Sequence, residues 1–260
     1  MIFPCYNEAE RLPGTLAVYL AALSRRPGEV EVLVVDDGSS DQTVAVASAI
    51  AARDARVRVI ASQPNQGKGF VVRRGVLAAE GQLIVFTDAD GSYGPREVDR
   101  VVAALTHAPV AIGSRNGGAA TGPLARRLAS RQFNHAIRAL LGLPFGDTQC
   151  GLKGFQRQAA LEVFSRARLD GFAFDAEVLV LARRLGLRIN EVQVRAEERD
   201  DSKVQLAMDA LRMLGDVLTV ARWAAMGAYD LADRPVPELA PDSVVLAPGA
   251  LATGAGGLST

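Results

Sequence analysis

The stretch Glu29-Val-Glu-Val-Leu-Val-Val-Asp-Asp-Gly-Ser-Ser-Asp41 decides the fold. Its apolar first half predicts a buried strand. Gly38 then allows a tight turn, and Ser39 or Ser40 is the expected N-cap of a helix over 41–54. A strand, a turn and a helix in this order begin a βαβ unit, and such units build a parallel sheet.

The same alternation continues on both sides of this stretch and predicts an α/β protein with a largely parallel sheet. Ahead of it, only Met1-Ile-Phe3 is available for a first strand before Pro4. This strand is therefore very short, or the start of the sequence is late. Further strands are expected over 57–61, 82–87, 109–113, 150–156 and 188–195, and helices over 68–80, from Pro95, and over 124–141, 175–185 and 204–226.

Composition narrows the class of protein. The chain has 260 residues, with 29 Lys and Arg against 29 Asp and Glu, and this zero net charge gives no reason to expect nucleic acid as a partner. Two cysteines, Cys5 and Cys150, are too few for a disulfide framework and favour the cytoplasm. No apolar run approaches the ~20 residues of a membrane span, so we expect any contact with lipid to be at the surface. Residues 227–260 are rich in Pro, Ala and Gly and predict a disordered tail.

Polar clusters follow three of the predicted strands. They are Pro4-Cys-Tyr-Asn-Glu8, Asp36-Asp-Gly-Ser-Ser-Asp41 and Asp88-Ala-Asp90. Ligands of open parallel sheets bind beyond the carboxyl ends of the strands. The recurrence of polar clusters at these ends therefore predicts a binding site there.

Asp88 and Asp90 are candidate ligands for a divalent metal ion. Two carboxylates one residue apart at a strand end can both turn toward a hard cation, and Mg²⁺ binds one or two carboxylates together with phosphate oxygens and water. Such an ion stabilises a diphosphate as a leaving group. The alternative is a turn in which aspartate only binds its own backbone.

Two further segments have both a binding and a structural interpretation. Asp36 and Asp37 could accept hydrogen bonds from the base and ribose of a nucleoside, or could belong to an ordinary capped turn. The segment Asn65-Gln-Gly-Lys-Gly69 opens a helix whose N-terminus could attract phosphate with help from Lys68, or it is a glycine loop with a solvated lysine.

The order of these motifs resembles the family 2 glycosyltransferases of the GT-A fold. The resemblance covers about residues 2–220. Other segments look like the dolichyl-phosphate glucosyltransferase and mannosyltransferase branch of that family, and the segment over 147–155 resembles the glucosyl enzymes more than the mannosyl ones. These segments are Gly113-Ser-Arg115, Arg126 with Ser130, Asp147-Thr-Gln-Cys-Gly-Leu-Lys-Gly-Phe155, Phe174-Asp-Ala-Glu177 and Ser202-Lys203.

The resemblance implies a role for each motif. It implies one GT-A domain over 1–226, with a donor part over about 1–115 and an acceptor part over about 116–226. Asp88 and Asp90 would hold Mg²⁺ or Mn²⁺, and Ser92 stands where related mannosyltransferases have a glutamine as a further ligand. The nucleotide-sugar would contact Pro4, Tyr6, Asn7, Glu8, Asp36, Asp37, Lys68, Ala89 and Lys203.

Residues 113–140 predict a phosphate-binding surface, because they contain five arginines and no acidic residue. Arg126 and Ser130 share a helix face, and arginine binds phosphate through two parallel hydrogen bonds. A solvated basic face is the alternative. The candidate ligands for the acceptor phosphate are Arg115, Arg126, Ser130, Arg131 and Gln149.

The predicted reaction is inverting transfer of a hexose from UDP-glucose, or in second place GDP-mannose, to a polyprenyl phosphate. Such an acceptor is largely a dianion near neutral pH and needs little help from a base. Asp147 is the best candidate if a base is used, and a turn residue otherwise. We expect a peripheral protein at the inner face of the membrane or on a membrane partner. The alternatives are a transferase for hydroxyl acceptors and a non-catalytic nucleotide-sugar binding module.

Overall fold

The computed structural model describes four ranges of the chain. For some residues it describes only the backbone. The described ranges are 1–115, 124–197, 206–229 and 245–246. Side chains are not described for 124–131, 206–211 and 245–246.

The strands of the described residues form one mixed sheet in the order β7-β5-β6-β4-β1-β2-β3-β8. The central strands β4, β1, β2 and β3 are parallel, whereas β6 runs antiparallel to both of its neighbours. Strands β5 and β7 are parallel to each other. The strands are β1 (Ile2–Cys5), β2 (Val32–Asp37), β3 (Val57–Ser62), β4 (Leu83–Phe86), β5 (Val110–Ser114), β6 (Lys153–Gln156), β7 (Ile189–Gln193) and β8 (Val245–Leu246).

Helices connect the strands and cover both faces of the sheet. They are α1 (Leu12–Leu23), α2 (Thr43–Ala51), α3 (Lys68–Ala78), α4 (Pro95–Ala104), α5 (Leu124–Leu141), α6 (Arg157–Phe164), α7 (Phe174–Arg184) and α8 (Leu206–Ala225). Within the described ranges, no helix is long and apolar enough to cross a membrane.

The sheet separates two apolar cores because successive side chains of a strand point to opposite faces. Ile2 of β1 belongs to the core beneath α3, α6, α7 and α8, and Phe3 belongs to the core beneath α1, α2 and α4. The first core contains an aromatic cluster in which Phe86 contacts the rings of Phe155, Phe164 and Phe174. Because the sheet is covered on both faces, side chains on both sides of β2 and β4 are buried, which explains the apolar runs of these strands.

The structure confirms the predicted α/β class and the largely parallel central sheet. It also corrects the prediction in detail. The sequence analysis missed α1 and α6, although Leu12, Leu16 and Tyr19 are buried at helical spacing. The expected N-cap at Ser39 or Ser40 is wrong, since α2 begins at Thr43, whose N–H donates to Asp41 Oδ1 at 2.9 Å.

Part of the predicted tail belongs to the fold. Tyr229 is buried, and its hydroxyl donates to the Glu177 carboxylate at 2.8 Å. Val245–Leu246 form β8 beside β3. The prediction of disorder is wrong for these residues. The division of the domain into donor and acceptor parts stays a prediction.

Phe86→Ala is expected to destabilise the protein strongly, because it leaves a cavity in the aromatic cluster. We expect the free energy of unfolding to fall by about 3–5 kcal/mol. Leu83→Ala on the same strand is the control, since Leu83 is 44% exposed, and surface changes cost about 0.5 kcal/mol or less. Denaturant unfolding of both variants measures the difference. Equal losses would contradict the placement of Phe86.

Candidate active site

The predicted polar clusters meet at the carboxyl edge of the sheet. Strands β1 and β2 are paired in parallel, with Cys5 opposite Asp36, so the residues that follow them are neighbours. The N–H of Asn7 donates to Ser39 Oγ at 2.8 Å, and Asn7 Oδ1 accepts the N–H of Ser40 at 2.9 Å. The first two clusters therefore form a single hydrogen-bonded surface.

Asn7 and Glu8 stabilise this surface through their own bonds. Asn7 has a φ of 55°, a left-handed conformation that asparagine tolerates better than most residues. The Glu8 carboxylate binds Arg11 through two hydrogen bonds of 2.6 and 2.7 Å. Tyr6 differs from them because its side chain is 46% exposed. It is the residue of this cluster whose ring is most available to a ligand.

The two carboxylates that end β2 bind backbone. Asp36 accepts the N–H of Ser39 at 3.0 Å and also the hydroxyl of that serine. Asp37 accepts the N–H groups of Gln66 and Gly67 at 2.8 and 2.9 Å. Burial raises the pKa of Asp37 above its ordinary value, although these two bonds oppose the rise. Asp37 thus links the end of β2 to the glycine loop before α3.

The N-terminus of α3 is not an open phosphate site, and this part of the expectation is wrong. The N–H groups of Gly69 and Phe70 donate to the carbonyl of Asp170 at 2.7 and 3.2 Å. The close approach requires glycine, because a Cβ on Gly67 would lie 2.4 Å from the same oxygen. The backbone donors are used inside the protein, so Lys68 is the group of this loop that can reach a phosphate.

Lys68 is paired with the first carboxylate of Asp88-Ala-Asp90. Its Nζ lies 2.5 Å from Asp88 Oδ1. Burial favours the neutral forms of both groups, but the pairing outweighs it. The charges of Asp88 and Asp175 raise the pKa of Lys68 above its ordinary value, and the charge of Lys68 lowers the pKa of Asp88. Both groups are therefore ionised at neutral pH.

The surroundings of Asp88 and Asp90 fit a metal ion that is shared with a diphosphate. Asp90 Oδ1 accepts the N–H of Ser92 at 2.8 Å, which fixes the turn after β4. In the described part of the chain, no three His, Cys, Asp or Glu side chains gather as a complete set of metal ligands. Two carboxylates with the remaining positions left to phosphate and water are the arrangement that Mg²⁺ prefers.

Gly151 makes room for Asp88 and was not singled out in the sequence. A Cβ at this position would lie 2.2 Å from Asp88 Oδ2. Gly151 belongs to the segment between Asp147 and Phe155 whose family resemblance was noted, but only the structure reveals its contact with the carboxylate.

Asp147 is buried and fully engaged. It accepts two hydrogen bonds from the Arg115 guanidinium, at 2.7 and 3.0 Å. Burial alone would raise the pKa of Asp147, but the hydrogen bonds and charge of Arg115 lower it below its ordinary value. Asp147 is therefore a weak base that is already paired with Arg115. These properties fit a turn residue better than a general base.

Three predicted acceptor residues and one predicted donor residue lie beyond what the structure describes. The side chains of Arg126, Ser130 and Arg131 on α5 are not described, and Lys203 lies outside the described residues. Later in α5, Asn134 Nδ2 donates to the carbonyl of Gly146 at 2.6 Å. The sequence analysis missed this contact, which joins α5 to the segment of Asp147.

The mixed sheet, with this paired lysine and these aspartates at the carboxyl edge of its parallel centre, agrees with the expected class, the glycosyltransferases of the GT-A fold. Residues 1–164 match the family model described as "Glycosyl transferase family 2". The chain belongs to this family, and the predicted resemblance is confirmed.

Curated relatives and solved structures agree with this result. The chain is 36% identical over 250 residues to a dolichyl-phosphate beta-glucosyltransferase from Drosophila melanogaster, which covers 89% of this chain and 77% of the relative. It is 32% identical over 249 residues to the enzyme of that name from Homo sapiens, with the same coverage.

The fold is similar to that of two solved synthases. Mannosyl-3-phosphoglycerate synthase from Rubrobacter xylanophilus superposes with a TM-score of 0.68 at 19% identity, covering 90% of this chain and 76% of the other. Glucosyl-3-phosphoglycerate synthase from Mycobacterium tuberculosis, solved with Mn²⁺, UDP-glucose and phosphoglyceric acid, gives 0.65 at 21% identity, covering 85% and 78%.

Gly151→Ala is expected to impair the enzyme without unfolding it. The added methyl group must displace the Asp88 carboxylate, and a shift of about 1 Å near the chemistry can cost about a hundredfold in rate. Gly14→Ala is the control, because a Cβ on Gly14 meets no atom within 4 Å. Initial rates of sugar transfer and melting temperatures measure both variants. A Gly151→Ala enzyme with wild-type activity would show that Asp88 need not stay where it lies.

Proposed function

We propose that this chain transfers glucose from UDP-glucose to dolichyl phosphate, or a similar polyprenyl phosphate, with inversion at the anomeric carbon. One observation carries the proposal. The Lys68–Asp88 pair and Asp90 lie at the carboxyl edge of the sheet, in a chain that is 36% identical to a dolichyl-phosphate beta-glucosyltransferase over 89% of its length.

The donor is assigned to the surface formed by the ends of β1, β2 and β4. The Tyr6 ring is exposed and available to the base. We assign Pro4, Asn7 and Glu8 to the same part of the donor site, because they adjoin Tyr6 in the chain and Asn7 binds Ser40. Asp36 and Asp37 stabilise the floor of this surface through their hydrogen bonds to backbone. We assign the ribose or base to the remaining lone pairs of these carboxylates. Ala89, which is buried, sets the spacing between Asp88 and Asp90.

Asp88 and Asp90 would hold Mg²⁺ or Mn²⁺. When bound, the ion supplies positive charge that stabilises the leaving diphosphate. Lys68 supplies a second positive charge at the same place, and we propose that its ammonium group binds the diphosphate. We assign Lys203 to the donor phosphates as well, on its sequence motif alone.

The acceptor supplies its own nucleophile. A phosphate oxygen of the lipid forms a bond to the anomeric carbon of glucose while the bond from that carbon to the UDP oxygen breaks. The electron pair leaves with UDP, and no proton must move when the acceptor is a dianion. The protein has to align the two substrates and stabilise the leaving group. The engaged state of Asp147 supports this base-free route over a hydroxyl acceptor.

The acceptor phosphate is assigned to the basic surface around α5. Gln149 supports this assignment, because its Nε2 is buried and has no hydrogen-bond partner among the described residues. We propose that this donor binds an oxygen of the acceptor phosphate. Arg115 directly follows β5 and is bound at 2.7 Å to Asp147, which lies two residues before Gln149. We add Arg126, Ser130 and Arg131 from the sequence motif.

We also propose a peripheral position at the inner face of the membrane, directly or on a membrane partner. A polyprenyl phosphate resides in the membrane, so the enzyme must approach the surface. Leu218 of α8 and Met226 just after it support this position, being 52% and 68% exposed. Exposed apolar side chains near a helix that faces lipid can enter the interface.

Transfer of labelled glucose to dolichyl phosphate in detergent tests the proposal. We expect labelled lipid from UDP-glucose with Mn²⁺ or Mg²⁺, little from GDP-mannose, and none with EDTA. Asp90→Asn should fall below about one hundredth of the wild-type rate, because it weakens charge stabilisation of the leaving group. Asp99→Asn, on the exposed face of α4, is the control. Labelling that persists in EDTA and in Asp90→Asn would overturn the metal assignment.

The pH dependence separates a phosphate acceptor from a hydroxyl acceptor. The pKa of Asp147 is lowered, so this carboxylate stays ionised above that pKa and its titration should not limit the rate near neutral pH. The rate at low lipid concentration should instead fall below an apparent pKa of about 6, where the acceptor gains a proton. The test is to compare rates from pH 5 to 9 in the wild type and in Asp147→Asn.

The apparent pKa should be the same in both enzymes, although Asp147→Asn is slower because Arg115 loses its partner. Asp54→Asn, which removes an ion pair with Arg56 away from the site, is the control. If the apparent pKa disappears only in Asp147→Asn, Asp147 is a base and the hydroxyl acceptor becomes the better proposal.

A further inference from the structure

Lys153 is a fully buried charged residue that the proposed reaction does not use. It lies in β6, with 0% of its surface exposed. Its Nζ donates to the carbonyl of Cys150 at 2.6 Å and to Asp175 Oδ1 at 2.5 Å. Asp175 is itself only 4% exposed. Lysine is almost never fully buried, and a buried ion pair often stabilises a fold less than apolar residues of the same size. A contribution to stability therefore does not explain why this charged pair is buried.

The position of the pair connects it to Asp88. In the β4–β6 register Lys153 is opposite Phe86, two residues before Asp88. The carbonyl that Lys153 binds belongs to Cys150, the residue directly before Gly151. Gly151 is the backbone wall against which the Asp88 carboxylate lies. The Cys150 carbonyl thus joins the ammonium group of Lys153 to the backbone that lies against the proposed metal ligand.

The pair also lies beside Lys68. Asp175 directly follows Phe174, and Lys68 Nζ lies 6.0 Å from the centroid of the Phe174 ring. The start of α7 therefore connects the Lys153–Asp175 pair with the Lys68–Asp88 pair.

We propose that Lys153 and Asp175 are positioning residues for the donor site. Lys153 fixes the Cys150–Gly151 backbone and with it the orientation of Asp88. Asp175 holds the Lys153 ammonium group in place. The inference rests on the proposed function, since it supposes that a metal–diphosphate group binds at Asp88 and Lys68.

The test compares stability with ligand binding in three variants. Lys153→Met and Asp175→Asn each leave one buried partner unpaired, so both should melt at a lower temperature than the wild type. The double variant Lys153→Met/Asp175→Asn contains neither charge and should recover most of the melting temperature. Affinity for Mn²⁺ with UDP, measured by titration calorimetry, is the second readout. Arg56→Met, which removes the surface pair with Asp54, is the control and should bind like the wild type.

A positioning role predicts that the double variant binds Mn²⁺ and UDP about ten- to a hundredfold more weakly although it is folded, as is usual when the support of a metal ligand is removed. Wild-type affinity in the folded double variant would overturn the inference and leave the proposed function intact. If the wild-type enzyme itself fails to bind UDP with Mn²⁺, the proposed function is wrong and the inference falls with it.

Discussion

The ion pair between Lys68 and Asp88 is the interaction around which the site is arranged. Its two members come from different parts of the chain, one from the start of α3 after β3 and the other from the turn after β4. Their 2.5 Å contact requires β3 and β4 to end at the same edge of the sheet. The parallel order of the central strands meets this requirement. The pair keeps both groups charged at a half-buried place where a diphosphate and its metal ion would need them.

Glycine and backbone contacts hold this pair in place. Gly67 and Gly69 let the start of α3 approach the carbonyl of Asp170, and Gly151 lets the backbone approach Asp88. Both approaches place backbone where any side chain would collide. Asp37 adds a third constraint, because it binds the loop that contains Gly67 from the end of β2. The loop is therefore held from both sides before any ligand arrives.

The sequence predicted the parts of this arrangement that depend on local chemistry. The apolar runs of β2 and β4 gave the sheet, and the aspartates that follow them gave the edge at which ligands bind. The pairing of Lys68 with Asp88 and the contact of Gly151 could not be predicted, since they join residues 20 to 63 positions apart. The burial of Lys153 could not be predicted from the sequence either, because it depends on the position of β6 between β4 and β5 in the sheet. The side chains of α5 stay predictions.

The most direct measurement is a crystal structure of the protein with Mn²⁺ and UDP, using the anomalous signal of manganese. We expect a manganese peak between the carboxylates of Asp88 and Asp90, because these two side chains are the proposed metal ligands. We also expect Lys68 Nζ to have moved from Asp88 to the diphosphate of UDP. A manganese ion elsewhere, or a Lys68 that stays on Asp88 with UDP bound, would contradict these assignments.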